Sequence, residues 1–238
     1  MNTFDLHIMV YINQFSQYSL TFNKIIALLS ACNLLKGGVL VTLIWWAWFK
    51  GGDRQSHNRE HILSTLLCCF IAEFISRLLS LTLPFRIRPL YEKKLDFFLP
   101  YGLEKPNFLD SWSSFPSDHA VLFFSLSAGL LFVSKKAGAF ALAYTTLLIA
   151  FPRIYLGLHY PTDIISGAVI GITVTVLGNI YFVPNKYLKS ISNWSHSKPD
   201  VFYPIFFIFT YQIIEMFDDV RSIISLGYKS FISHGGYF

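Results

Sequence analysis

Arg153, His159 and Asp163 are three ionisable residues set between two long apolar runs, roughly 136–152 and 164–183. Charge at the edge of a membrane is costly enough to flag a function. His159 and Asp163 stand four apart, so a turn running into a helix at Pro161 and Thr162 brings the carboxylate within reach of one imidazole nitrogen. That contact would fix the tautomer and leave the other nitrogen free as nucleophile or base. Arg153, one short loop upstream, adds a planar fork of donors suited to a phosphate or carboxylate. Each residue alone also has an ordinary explanation: Asp163 as a helix cap, His159 as a polar loop residue, Arg153 as a snorkelling headgroup contact.

The elements that must hold these groups belong to a chain of 238 residues, 53% hydrophobic and only 14% charged, with a mean hydropathy of +0.48. That composition excludes an ordinary soluble domain and predicts an all-α, polytopic membrane protein. Apolar runs at about 34–49, 60–83, 119–134, 137–152, 164–183 and 201–217 are long enough, or nearly so, to cross ~30 Å of hydrocarbon. They predict a bundle of six transmembrane helices. Residues 1–20 hold no Lys or Arg and mix apolar with polar side chains, which does not fit a signal peptide. The expected organisation is therefore interfacial helices over 1–33, a six-helix membrane domain over 34–217 and a tail over 218–238. Cys32, Cys68 and Cys69 lie in or near apolar segments without redox or ligand spacing and read as small packing residues. The net charge of +5 comes from basic residues scattered among loops, which points to lipid headgroups and membrane topology rather than to nucleic acid.

Counting spans brings three remote clusters to one face. A long loop over about 84–117 starts with Arg86 and Arg88 and ends at Pro116-Ser117-Asp118-His119, and Lys135 and Lys136 make a tight turn between the next two spans. Alternating crossings then set residues near 88, 118 and 153–163 on the same side. The opposite face carries Lys50, Arg54, Arg59, Lys135, Lys136, Lys186, Lys189 and Lys198, so the clusters are expected outside the cytoplasm. Gly167, Gly171 and Gly178 form a small-residue stripe that suits close helix packing.

Arg88-Pro89, then Pro116-Ser117-Asp118-His119, then Arg153-x5-His159-x3-Asp163, in this order and at these helix edges, resemble the type 2 phosphatidic acid phosphatase family of membrane lipid phosphatases. The likeness spans roughly residues 80–170 and leans toward a bacterial branch resembling undecaprenyl diphosphate phosphatases. Three positions depart from the family pattern. Its Lys would fall at Leu81, its Gly is Asp118, and the Ser before its Arg is Pro152. Leu81 cannot bind phosphate, and Arg86 from the adjacent turn is expected to make that contact instead.

Phosphoryl transfer needs charge on the equatorial oxygens neutralised and a nucleophile held in line. Arg88, Arg153 and Arg86 can grip those oxygens, with Ser117 at a helix start whose free amides favour an anion. His159, oriented by Asp163, would attack phosphorus to give a phosphohistidine. His119 would protonate the leaving oxygen and then activate water. The resemblance implies the same division of roles and no metal or other cofactor. Asp118 reads as a modulator that repels surplus phosphate charge, orients an arginine or joins proton transfer. The expected activity is hydrolysis of a lipid phosphate or diphosphate, undecaprenyl diphosphate foremost, by a multi-pass protein of the cell (inner) membrane whose site faces the periplasm or exterior. Phosphatidylglycerol phosphate or phosphatidate as substrate, transfer of the phosphate to another lipid, and a non-catalytic anion-binding transporter are the competing readings.

Overall fold

The computed structural model describes residues 2–105 and 109–218, and among these every regular element is helical. Helix α1 (Thr3–Gln14) is capped by Asn2, whose side chain accepts from the Asp5 amide at 2.7 Å. Helix α2 (Leu20–Ala31) runs into α3 (Leu34–Phe49) across a 69° bend. The first turn of α3, Leu34–Gly38, is a π-helical bulge. After α4 (Gln55–Thr82) come the long loop, α5 (Asp118–Val133), α6 (Lys135–Tyr155) and α7 (Pro161–Phe182). Two shorter helices follow, α8 (Lys186–Ser197) and α9 (Pro199–Ile214). Pro161 and Pro199 occupy first-turn positions, where a missing N–H removes no helical bond.

Helices α4, α6 and α7 are long and apolar enough to cross a membrane, as is the bent α2–α3 pair if it counts as one span. The apolar helices α5 and α9 are shorter. Apolar side chains such as Leu67, Phe70, Phe74 and Leu81 lie exposed along α4, the surface a hydrocarbon solvent would cover. Helix α5 packs against both α4 and α7 and forms the centre of the structure, with Val121, Leu122, Phe123 and Leu126 fully buried. Ser134 ends α5 and caps α6, so the expected turn at Lys135 and Lys136 closes without a loop.

Residues expected to be loop between 184 and 200 form α8 instead. Leu188, Ser192 and Ser195 recur on its buried face, a helical spacing that the surrounding lysines obscure. The tail expected over 218–238 lies, beyond Asp218, outside the described residues.

The glycine stripe on α7 explains how tightly α5 is held. A Cβ at Gly167 would stand 2.7 Å from the Ser117 carbonyl oxygen, and one at Gly171 would collide with the Val121 carbonyl. Both obstacles are backbone and cannot rotate away. Gly171→Ala is therefore expected to lower stability by about 1–3 kcal/mol. Gly51→Ala, which meets nothing within 4 Å, is the control that should leave the thermal midpoint in detergent unchanged.

Candidate active site

Arg88, His119, Arg153 and His159 come from the long loop, the first turn of α5, the end of α6 and the α6–α7 turn, and together they line one cavity of about 380 Å³. The two imidazoles each lie against an arginine. Arg88 Nη1 stands 3.2 Å from His159 Nε2 and donates to the Leu158 carbonyl at 2.9 Å, while Arg88 Nε reaches the Trp112 carbonyl at 3.3 Å. Across the cavity the Arg153 guanidinium sits directly against the His119 ring, and Arg153 Nη1 donates to Ser30 Oγ at 2.6 Å. Arg153 Nε is buried and has no partner among the described residues. A buried donor without an acceptor calls for one, and an anion in the cavity would be such a group.

The turn that presents His159 is set by its backbone. Gly157 adopts φ +67°, a conformation that favours glycine, and its carbonyl accepts from the Leu90 amide at 2.9 Å. The long loop is thereby stitched to the α6–α7 turn, which brings Arg88 beside His159. The His159 ring is buried, and its Nδ1 lies 2.8 Å from the Ser114 carbonyl oxygen. A carbonyl only accepts, so Nδ1 carries the proton and the Nε2 lone pair, on the cavity side, accepts from Arg88 Nη1.

The carboxylate of Asp163 comes within ion-pair reach of His159, as its spacing predicts, but does not hydrogen-bond the ring directly. It stands 3.8 Å from His159 Nδ1 and acts one step removed, by accepting a short hydrogen bond from the hydroxyl of Ser114, whose carbonyl holds the ring. The same carboxylate accepts from the Tyr160 amide at 2.8 Å, and this cap at the start of α7 draws it toward the backbone and away from the imidazole.

Arg86 and Ser117 likewise fall outside the cavity lining. Arg86 bridges two fully buried carboxylates, Asp163 and, at 2.6 Å, Asp5 of α1, and its guanidinium lies 4.2 Å from the centre of the Tyr160 ring. Its donors are committed, so it does not replace the family lysine as expected. Ser117 is wholly buried, and its hydroxyl caps α5 by accepting from Ala120. Its sequence position could not distinguish that cap from a phosphate contact. Asp118 does line the cavity, where its carboxylate accepts from Ser76 Oγ at 3.2 Å and faces Arg77 Nη2 at 3.5 Å. Of the roles open to it, the orientation of an arginine is the one this geometry fits.

Sequence reasoning missed Asp5, Ser114 and Lys36. Asp5 accepts from the Thr162 amide at 3.0 Å and from its hydroxyl at 2.6 Å, so α1 is docked onto the start of α7 rather than lying apart from the bundle. A lone acid in an otherwise uncharged amphipathic segment was the available signal. Among the described residues no group of three His, Cys, Asp or Glu side chains is placed to share a metal ion.

A family model described as the PAP2 superfamily matches residues 60–187, just over half of the chain. The chain is 29% identical over 143 residues to undecaprenyl-diphosphatase BcrC of Bacillus subtilis, covering 60% of this chain and 65% of that protein. It is 28% identical over 127 residues to the bacitracin transport permease protein BcrC of Bacillus licheniformis, covering 50% and 54%. The chain thus spans between half and two thirds of the length of these relatives. The crystal structure of Aquifex aeolicus LpxE superposes with a TM-score of 0.53 at 23% identity, covering 76% of this chain and 97% of that one, a likeness of fold.

The Arg86 bridge is testable on its own. Removing its charge leaves Asp5 and Asp163 buried and uncompensated, so Arg86→Gln should lower stability by about 3–5 kcal/mol. Denaturant unfolding in detergent measures this. Adding Asp5→Asn to the same chain should restore part of the loss, since one orphaned charge is then removed.

Proposed function

The chain belongs to the PAP2 superfamily, and on that premise we propose that it is a membrane lipid phosphatase. It hydrolyses a lipid phosphate or diphosphate, undecaprenyl diphosphate first among them, at the extracytoplasmic face of a cell membrane. One observation carries the reading: two imidazoles, each paired with an arginine, face a single cavity sized for a phosphate headgroup. The likeness to undecaprenyl-diphosphatase BcrC of Bacillus subtilis supports the choice of lipid, and the basic residues at the opposite ends of the helices support the orientation.

The proposed reaction runs in two balanced steps. The lone pair of His159 Nε2 attacks phosphorus while Arg88 and Arg153 neutralise the equatorial oxygens. The bond from phosphorus to the leaving oxygen breaks, its electron pair stays on that oxygen, and His119, which takes up a proton once the bound phosphate draws Arg153 off its ring, supplies that proton. Neutral His119 then takes a proton from water as the water oxygen attacks the phosphohistidine. The phosphorus–nitrogen bond breaks back onto Nε2, which releases phosphate and restores both rings. Asp163 acts as a positioning residue through Ser114. The apolar flank of the bundle leaves room for the lipid tail to stay in hydrocarbon.

Purified protein given undecaprenyl diphosphate should release inorganic phosphate in the presence of a chelator and should yield an acid-labile phosphoenzyme on quenching. His159→Ala should abolish both, and His119→Ala should slow turnover about 10²- to 10⁴-fold. Intact phosphate release by His159→Ala would overturn the assignment of the nucleophile, and phosphorylated acceptor lipid in place of free phosphate would identify a transferase.

The pH profile gives a second test. Burial holds the His159 imidazole below its ordinary value of 6.5, against the opposing pull of Asp163. The attacking ring must be neutral, and protonation removes its lone pair as pH falls through that lowered value. The acid limb of kcat/KM is therefore expected below pH 6.5. A limb centred above that value would contradict a buried nucleophilic ring.

A further inference from the structure

Besides Arg77, Arg88 and Arg153, the cavity contains a cation that no motif anticipates. Lys36 lines its wall, with only 8% of the residue's surface exposed, and among the described residues its ammonium makes no hydrogen bond or ion pair. Glu215 and Asp218 on the same lining offset its charge in part, and an anion that bonds the ammonium directly would offset it more fully.

Its placement is built into the backbone. Lys36 sits in the π-helical bulge Leu34–Gly38, just past the 69° bend between α2 and α3, and such bulges recur at functional sites. The bulge is pressed against α9: a Cβ at Gly37 would lie 2.7 Å from the Ile214 Cα, so only glycine permits this approach. The position that would carry the family lysine does not serve the cavity. Leu81 is 76% exposed and lines a separate groove with Phe85. Arg86 is occupied by Asp5 and Asp163, and Arg77 faces Asp118.

Lys36 also lies on a definite side of the cavity. Arg153, whose guanidinium rests against His119, donates to Ser30 near the end of α2, six residues before Lys36, and Ser30 and Lys36 line the cavity together. His159 and Arg88 form the second pair on the cavity lining. If His159 attacks and His119 protonates the departing oxygen, Lys36 stands on the leaving-group side. With a lipid diphosphate the leaving group is itself a phosphate, and it carries the negative charge that a monophosphate substrate lacks at that place.

We propose that Lys36 binds the phosphate that departs with the lipid, so that it selects diphosphates over monophosphates. This rests on the phosphatase reading above. A charge-assisted contact of this kind typically contributes about 10- to 100-fold in binding.

The test compares farnesyl diphosphate with farnesyl phosphate, which share a tail and differ by one phosphate, in wild-type protein and in Lys36→Met and Lys36→Arg. The ratio of kcat/KM for diphosphate over monophosphate is expected to fall about 10- to 100-fold in Lys36→Met and to recover largely in Lys36→Arg. An unchanged ratio in a Lys36→Met protein that unfolds at the wild-type temperature would overturn the proposal, as would equal losses on both substrates. Should Lys36→Met fail to fold, competition on wild-type protein decides: inorganic pyrophosphate should inhibit at least tenfold more strongly than inorganic phosphate, and equal inhibition would overturn the proposal. His159→Ala, assayed alongside, reports separately on the phosphatase reading, because its activity does not depend on how Lys36 is assigned.

Discussion

The carboxylate of Asp163 is the constraint around which the site is arranged. It is fully buried, and a buried charge survives only where several donors converge on it. Here the donors are the Ser114 hydroxyl and Arg86, from the two ends of the long loop, and the Tyr160 amide of the α6–α7 turn, while Asp5 of α1 accepts from the far side of Arg86. Removing any of them exposes the others to an unbalanced charge. The network therefore closes as a unit, and its closure fixes the Ser114 carbonyl that sets the proton of His159. A residue that never touches the cavity thus decides which imidazole nitrogen faces it.

A second balance operates inside the cavity. Arg88, Arg153 and Lys36 supply positive charge, while Asp118, Glu215 and Asp218 lie along the same lining. Glu215 is held by the Asn33 side chain at 2.5 Å, and Asp118 by Ser76 and Arg77, so these acids are anchored to walls. Such an arrangement offsets the cations along the cavity lining. It still leaves guanidinium and ammonium groups to converge on an incoming phosphate, where a low dielectric strengthens each contact.

Much of this was legible in the sequence, for reasons that can be stated residue by residue. The apolar runs located the long helices because hydrocarbon demands length and hydropathy and little else, and Arg88, His119, Arg153 and His159, which alternation of those helices set on one face, line one cavity. Side-chain bookkeeping within that face was not legible. Spacing put Asp163 near His159, but only coordinates reveal that Ser114 intervenes, because the competing demand of the α7 cap acts through a backbone amide that carries no sequence signal. Arg86 looked like a phosphate ligand for want of a visible acid, and the acid lay 81 residues away in Asp5. Lys36 was read as the residue that opens a span, since nothing in the chain announces a π-bulge or a 69° bend.

The seam between α5 and α7 connects fold to chemistry. His119 lies two residues after the cap at Ser117, and Asp163 lies one helical turn before Gly167, whose bare Cα meets the Ser117 carbonyl. The Ser117 amide in turn reaches the Asp163 carbonyl at 3.3 Å, so the two helix starts are joined by backbone on both sides. Backbone contacts cannot change rotamer, and a group that must act on the same phosphorus as its partner tolerates little displacement. Small residues along α7 therefore do more than let two helices approach. They set the separation between the ring proposed to attack and the ring proposed to donate, a distance that loops alone would leave loose.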